Sequence, residues 1–206
     1  IPERKPRSRR DLAAGFFKTD AGKVWRRKGG YEIMFYLIRH GSADYAEKDT
    51  KIYQGFGVNL APLSERGIRE IQEASRDARL AGTDLILSSP YTRALQTAAI
   101  LSKELQADIV VETDLHEWLA NKNYIYETDE KAEKSYREFC GNRGIYTNGK
   151  EEWEDYETMK KRLLTVLKKY THYKKVLVVC HGMLIQSVCP DHHPQNGEIQ
   201  EFSDVF

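Results

Sequence analysis

The chain has 206 residues, 40% of them hydrophobic and 31% charged, with a formal net charge of +1. That composition fits one globular domain with or without an appendage, and no apolar run approaches the ~18–20 residues that a membrane-spanning helix needs. Cys140, Cys180 and Cys189 form an odd set without metal-ligand spacing, so reduced thiols in a cytoplasmic protein are the expected state. The near-zero charge hides an asymmetry: residues 1–33 carry +6 and the remainder −5. A mildly acidic body argues against nucleic acid as the principal partner.

In chain order, residues 1–33 read as a basic, poorly structured extension. Arg4, Lys5, Arg7, Arg9 and Arg10 show no helical or strand period, and no apolar core or cleavage pattern of a targeting peptide is visible. Because Met34 stands where a first strand begins, the extension is expected to be an appended or upstream-translated segment. A basic arm for nucleic acid or an anionic membrane is the alternative. The folded domain is expected over 34–206.

Strand one is expected at 33–38, followed by a Gly- and Tyr-containing loop through Gly57. Ser64 is expected to cap a helix over 65–80 with Ile68, Ile71, Ala74 and Ala78 on its packed face. A short buried strand follows at 84–88. Ser89 as N-cap and Pro90 in the first turn start a helix that runs to Leu105. Residues 109–111 read as a third strand, 129–140 as a charged helix, and 156–170 as a helix with a buried stripe. Strand 176–180 precedes a short helix from Met183, and 197–202 alternates like a half-exposed edge strand. Alternation of strand and helix predicts an α/β fold with a mostly parallel sheet. The expected architecture is a three-layer sandwich with helices on both faces and an antiparallel C-terminal edge strand.

Chemistry gathers at three strand exits. Arg39-His40-Gly41 follows the first strand, His181-Gly182 the one at 176–180, and Arg93 lies just past the strand at 84–88. In an open parallel sheet, ligands bind at the carboxyl ends of the strands. Glycine after each histidine is expected to let the backbone turn sharply and approach a ligand. Guanidinium groups bind phosphate oxygens in bidentate fashion, and a helix start adds free N–H donors. Two Arg, two His and a helix start describe a phosphoryl site, although an isolated Arg-His-Gly is more often a surface turn and a lone histidine beside a buried strand is usually structural.

The blocks Leu37-Ile38-Arg39-His40-Gly41, Pro62-Leu63-Ser64-Glu65-Arg66-Gly67, Ser88 through Ala98, and Val179-Cys180-His181-Gly182 occur in the order seen in the histidine phosphatase superfamily, the phosphoglycerate mutase-like proteins. The resemblance covers residues 34 to about 202. It implies a nucleophile at His40, phosphate ligands at Arg39, Arg93 and His181, with His181 also catalytic, and an acid after the third strand. Glu117 matches that acid; Glu112 and Asp114 are weaker candidates. It further implies a metal-independent phosphomonoesterase acting on a small phosphorylated metabolite through a phosphohistidine, with no cofactor. Phosphoglycerate mutase and a non-catalytic phosphate-binding module are the alternatives. Only about fifteen residues separate Gly182 from the final strand, a shortened end that favours the phosphatase. Oligomeric state is left open.

Other features are weaker. Asp191-His192-His193 reads as a solvated loop rather than a metal site, and Cys180 as an inert core thiol. Tyr45, Tyr53, Tyr124, Tyr126 and Tyr146 fall in loops expected to cover the site, where they would stack on a substrate ring or line its rim. Lys48, Lys51, Lys122 and Arg143 are candidates for reading a second anionic group.

Overall fold

The computed structural model describes residues 33–48 and 57–203. The basic extension therefore lies outside the described residues except for Ile33. Five strands form one sheet: β1 (Met34–Arg39), β2 (Leu85–Ser88), β3 (Ile109–Val111), β4 (Lys175–Cys180) and β5 (Ile199–Phe202). Their spatial order is β3-β2-β4-β1-β5. All neighbouring pairs are parallel except β1 with β5, which is antiparallel. β1, β2 and β4 are almost unbroken apolar runs because helices cover both of their faces.

The helices are α1 (Gly57–Leu60), α2 (Glu65–Ala74), α3 (Thr92–Leu105), α4 (Asp129–Gly141), α5 (Tyr156–Lys169) and α6 (Gly182–Gln186). On one face, Ile71 of α2 and Ala94, Ala98 and Leu101 of α3 pack against Tyr36, Ile38, Ile86, Leu177 and Val179. On the other, Met159, Leu163, Val166 and Leu167 of α5 meet Phe35, Leu37, Leu87, Val176 and Val178. The three-layer α/β sandwich and its antiparallel edge are as expected. No described helix is long and apolar enough to cross a membrane.

Three local expectations are corrected. The helix after Ser64 ends at Ala74, not at residue 80; Asp77 then accepts from the Arg79 amide and caps a separate 3-10 turn, Ala78–Leu80. A carboxylate near a helix C-terminus opposes the dipole, and Asp77 instead takes a cap position that uses it. The packed row of α2 also runs through Gly67 and Ile71, while Ile68 is 39% exposed. The cause is steric: a Cβ on Gly67 would lie 2.1 Å from the Ser42 carbonyl oxygen. At the sheet edge, β5 is not half-exposed by alternation. Ile199 and Phe202 join the two opposite cores and only Glu201 is exposed.

Gly67→Ala is expected to lower stability by about 1–3 kcal/mol, because backbone must shift to admit the methyl group. A denaturant midpoint equal to wild type would show that the contact between α2 and the loop after β1 is slack.

Candidate active site

The parallel register decides where the chemistry meets. Arg39 pairs across from Cys180, and Ser88 across from Val179. His40, His181 and Ser89 therefore leave three adjacent strands at nearly the same level, at their carboxyl ends. The ladder continues one step further, with His40 N–H donating to the Cys180 carbonyl (3.1 Å) and Ser89 N–H to that of Val179 (3.0 Å). The two imidazole centroids are 5.1 Å apart.

Arg93, in the first turn of α3, joins the two rings. Its Nε donates to His40 Nε2 (3.0 Å), its Nη1 to the Val58 carbonyl (2.7 Å), and its Nη2 faces His181 Nδ1 (3.4 Å). A guanidinium has only donors, so both facing ring nitrogens must be acceptors. The tautomers follow from the partners. His40 Nδ1 donates to the Gly41 carbonyl (2.7 Å), and His181 Nε2 donates to Ser89 Oγ (2.7 Å). Burial, reinforced by Arg93, lowers the His40 pKa to about 3. Burial, Arg93 and His40 push that of His181 well below the ordinary histidine value. Both rings are neutral in the unliganded protein.

Arg39 completes the cradle. Its Nη1 donates to the Pro194 carbonyl (2.9 Å), while its buried Nε has no partner among the described residues. Neither Gly41 nor Gly182 has positive φ. A Cβ on Gly41 would meet the Gly67 carbonyl oxygen at 2.5 Å, whereas one on Gly182 would make only ordinary contact with Arg39 Nε at 3.4 Å. Gly41 makes room for the backbone of α2. The helix start is also displaced: α3 begins at Thr92 after Tyr91, and Ser89 is not its N-cap. The Ser89 hydroxyl instead holds His181.

Glu117 lies beyond β3 on a loop that turns back to this cradle. Burial raises its pKa, opposed by the Trp118 amide, Arg93, the Met183 amide and Arg162. Glu112 is turned away, with its carboxylate on Lys169 (2.8 Å) and the Tyr170 hydroxyl (2.6 Å). Asp114 offers its backbone carbonyl to Arg162. Of the three carboxylates, Glu117 is the one on which Arg93 acts.

The model of the histidine phosphatase superfamily (branch 1) matches residues 35–200. The chain belongs to that superfamily. It is 29% identical over 155 residues to the adenosylcobalamin/alpha-ribazole phosphatase of Escherichia coli, which spans 72% of this chain and 73% of that protein. A mycobacterial glucosyl-3-phosphoglycerate phosphatase superposes with a TM-score of 0.63 at 17% identity, over 82% of this chain and 89% of that one. A phosphoglycerate mutase from Bacillus anthracis superposes almost as well, with a TM-score of 0.61 at 18% identity, over 83% of this chain and 87% of that one. Phosphatases and mutases share the fold, so fold alone does not separate them.

Several residues that build this histidine phosphatase site escaped the sequence reading. Arg162 of α5 grips both Glu154 oxygens (2.7 and 3.0 Å) and donates to the carbonyls of Asp114, His116 and Glu117. The pair is nearly sealed from solvent, with side chains 10% and 3% exposed. A charged residue at the border of the buried α5 stripe was the available signal. Asn196 donates to the His40 carbonyl (2.8 Å), Thr97 accepts from the Gly41 amide (3.2 Å), and Glu70 holds the Ser42 amide and hydroxyl.

Tyr45, Tyr124 and Tyr126 are exposed, and Tyr124 donates toward His116 Nε2. Tyr146 binds the Trp153 carbonyl and carries Lys122 over its ring. Lys48 pairs with Asp129 (2.5 Å), and Arg143 is exposed. Tyr53 and Lys51 lie outside the described residues. His192 pairs with Glu198 (2.7 Å), His193 bonds Gln186, and burial pushes the Cys180 thiol up to about 12.

The neutral rings make stability pH-dependent. From about pH 6.5 down to 3, the unfolded chain binds a proton at His40 that the folded chain refuses, so stability falls as pH falls through that window. At pH 5 the expected loss from His40 alone is about 2 kcal/mol relative to pH 7.5. His181 and His116 shift in the same direction. Equal denaturant midpoints at pH 7.5 and pH 5 would contradict neutral burial.

Proposed function

We propose that the chain hydrolyses a small phosphate monoester through a phosphohistidine formed on His40 Nε2. The reading rests most heavily on the two ends of that ring. Nδ1–H is tied to the Gly41 carbonyl, and the Nε2 lone pair faces the Arg93 guanidinium where a phosphoryl group would sit. Such a ring is a nucleophile without first losing a proton.

In the first step Nε2 attacks phosphorus and the bond to the leaving oxygen breaks. Glu117, kept protonated by burial and by the arriving dianion, gives its proton to that oxygen. The His40 ring becomes cationic as the N–P bond forms, and the Gly41 carbonyl stabilises it by accepting from Nδ1–H. Arg39, Arg93 and His181 hold the non-bridging oxygens. Neutral before binding, His181 is expected to take a proton on Nδ1 when the dianion enters, since an adjacent negative charge favours the cation. In the second step ionised Glu117 takes a proton from water, oxygen attacks phosphorus, and the N–P bond breaks to free phosphate. The positive charge required comes from side chains, without a metal or cofactor. The substrate is a small phosphorylated metabolite and the working location the cytoplasm.

His40→Ala is expected to lose all turnover, and wild type mixed with labelled ester should carry phosphate on His40 after a rapid denaturing quench that preserves the phosphoramidate. Retained turnover in His40→Ala would refute the nucleophile. Incubation with 3-phosphoglycerate and a trace of bisphosphate separates the mutase reading, because a mutase forms the isomer and a hydrolase releases phosphate. For Glu117→Gln, a loss of about 100-fold or more is expected with alkyl esters, with partial recovery on esters of acidic phenols. Equal losses on both ester types would remove Glu117 as the acid.

A further inference from the structure

The environment of Glu117 narrows the leaving group. Trp118, the next residue, presents its ring edge to Tyr136 at 5.9 Å and to Phe139 at 5.6 Å. Tyr136 lies nearly parallel to Phe139 (11°, 6.5 Å), and Phe139 in turn abuts Tyr156 at 4.9 Å. Phe139 is buried, yet Tyr136 is 46% exposed. The indole N–H is anchored on the Glu154 carbonyl (2.7 Å) and the Tyr156 hydroxyl on Gln186 (3.1 Å), so the wall is held in place. An exposed tyrosine on a rigid aromatic base beside the acid is a surface for a ring.

Charge weighs against the alternative. Residues 112–155, which supply both the acid and this wall, hold twelve Asp and Glu against six Lys and Arg. Three of these six cations, and Arg162 nearby, have partners of their own: Lys122 lies over Tyr146, Lys131 on Glu127, Arg137 on Glu133, and Arg162 on Glu154. A carboxylate or second phosphate on the leaving group would meet a field of its own sign.

We propose that the substrate is the monophosphate of an uncharged, ring-bearing alcohol whose ring packs on Trp118 and Tyr136 beside Glu117. The inference rests on the hydrolase reading above and adds the substrate class. It replaces the loop tyrosines expected to stack on substrate with a different set, positioned by the acid's own loop and by α4.

The test compares three esters with the full chain: 2-phenylethyl phosphate, glycerol phosphate and 3-phosphoglycerate. All three leave as alkanols, so demands on the acid are similar and differences report binding. Wild type is expected to show kcat/KM at least about tenfold higher for phenylethyl than for glycerol phosphate, with 3-phosphoglycerate slowest. In Tyr136→Ala the phenylethyl-to-glycerol ratio should fall about fivefold or more, through KM, while Tyr136→Phe should keep it. Thermal melts establish that both variants fold. Turnover of glycerol phosphate with no ring preference, a ratio unmoved in Tyr136→Ala, or 3-phosphoglycerate as the best ester would each overturn the ring-binding wall and leave the hydrolase reading standing. No turnover of any ester and no phosphate on His40 would overturn both.

Discussion

A guanidinium can sit buried between two imidazoles only if neither ring is protonated. Arg93 is 3% exposed, His40 5% and His181 0%. Three cations so close would repel strongly in a poorly screened interior. Burial resolves the conflict by keeping both rings neutral, and each then offers Arg93 a lone pair. The rest of the cradle serves this triplet. The register of β1 with β4 sets the rings at one height, Ser89 and the Gly41 carbonyl fix their tautomers, and Asn196, Thr97 and Glu70 hold the turn after His40. The arrangement suits an anion, whose charge would favour a proton at His181 more readily than at His40, whose Nδ1–H donates to the Gly41 carbonyl.

The cradle was legible because its residues sit where periodicity breaks. An apolar strand ending in Arg-His-Gly, or in His-Gly, marks the strand exit itself, and topology does the rest. The same signal located the strands and long helices, since strands covered on both faces are continuous apolar runs. Legibility failed where a contact spans the chain. Arg162 and Glu154 lie more than thirty residues from the carbonyls and loop they restrain, and nothing local marks them as a pair. Ser89 carries the pattern of an N-cap, yet its hydroxyl is bound by a histidine 92 positions away. α2 shows a third kind of failure: Ile68 outranks Gly67 in hydrophobicity, but only glycine fits against the Ser42 carbonyl, so space overrode the apolar period.

The buried ion pair deserves a separate physical account, because such pairs seldom stabilise by themselves. Desolvating Arg162 and Glu154 costs several kcal/mol per ion before their attraction offsets it. What the pair secures is placement. Arg162 has donors to spare after binding Glu154, and they go to three successive points on the backbone between β3 and Trp118. An acid that must reach a leaving oxygen loses much of its effect when misplaced by an ångström. A segment with a single 3-10 turn, Thr113–Leu115, is held in place by one guanidinium.

The same segment then governs two properties at once. Its burial raises the Glu117 pKa, and its aromatic residues form the wall beside the acid. A protonated acid beside an apolar wall donates readily to an alkoxide, whereas strongly cationic surroundings would ionise that acid before it could act. Binding an anionic leaving group would call for added cations close to Glu117, and those cations would depress the pKa on which proton donation depends. On the proposed reading, an acidic segment with an aromatic wall avoids the conflict: ring packing would recognise the leaving group and leave the proton on Glu117 in place. Preference for a neutral alcohol and retention of a general acid would then be one constraint, set by the charge of residues 112–155.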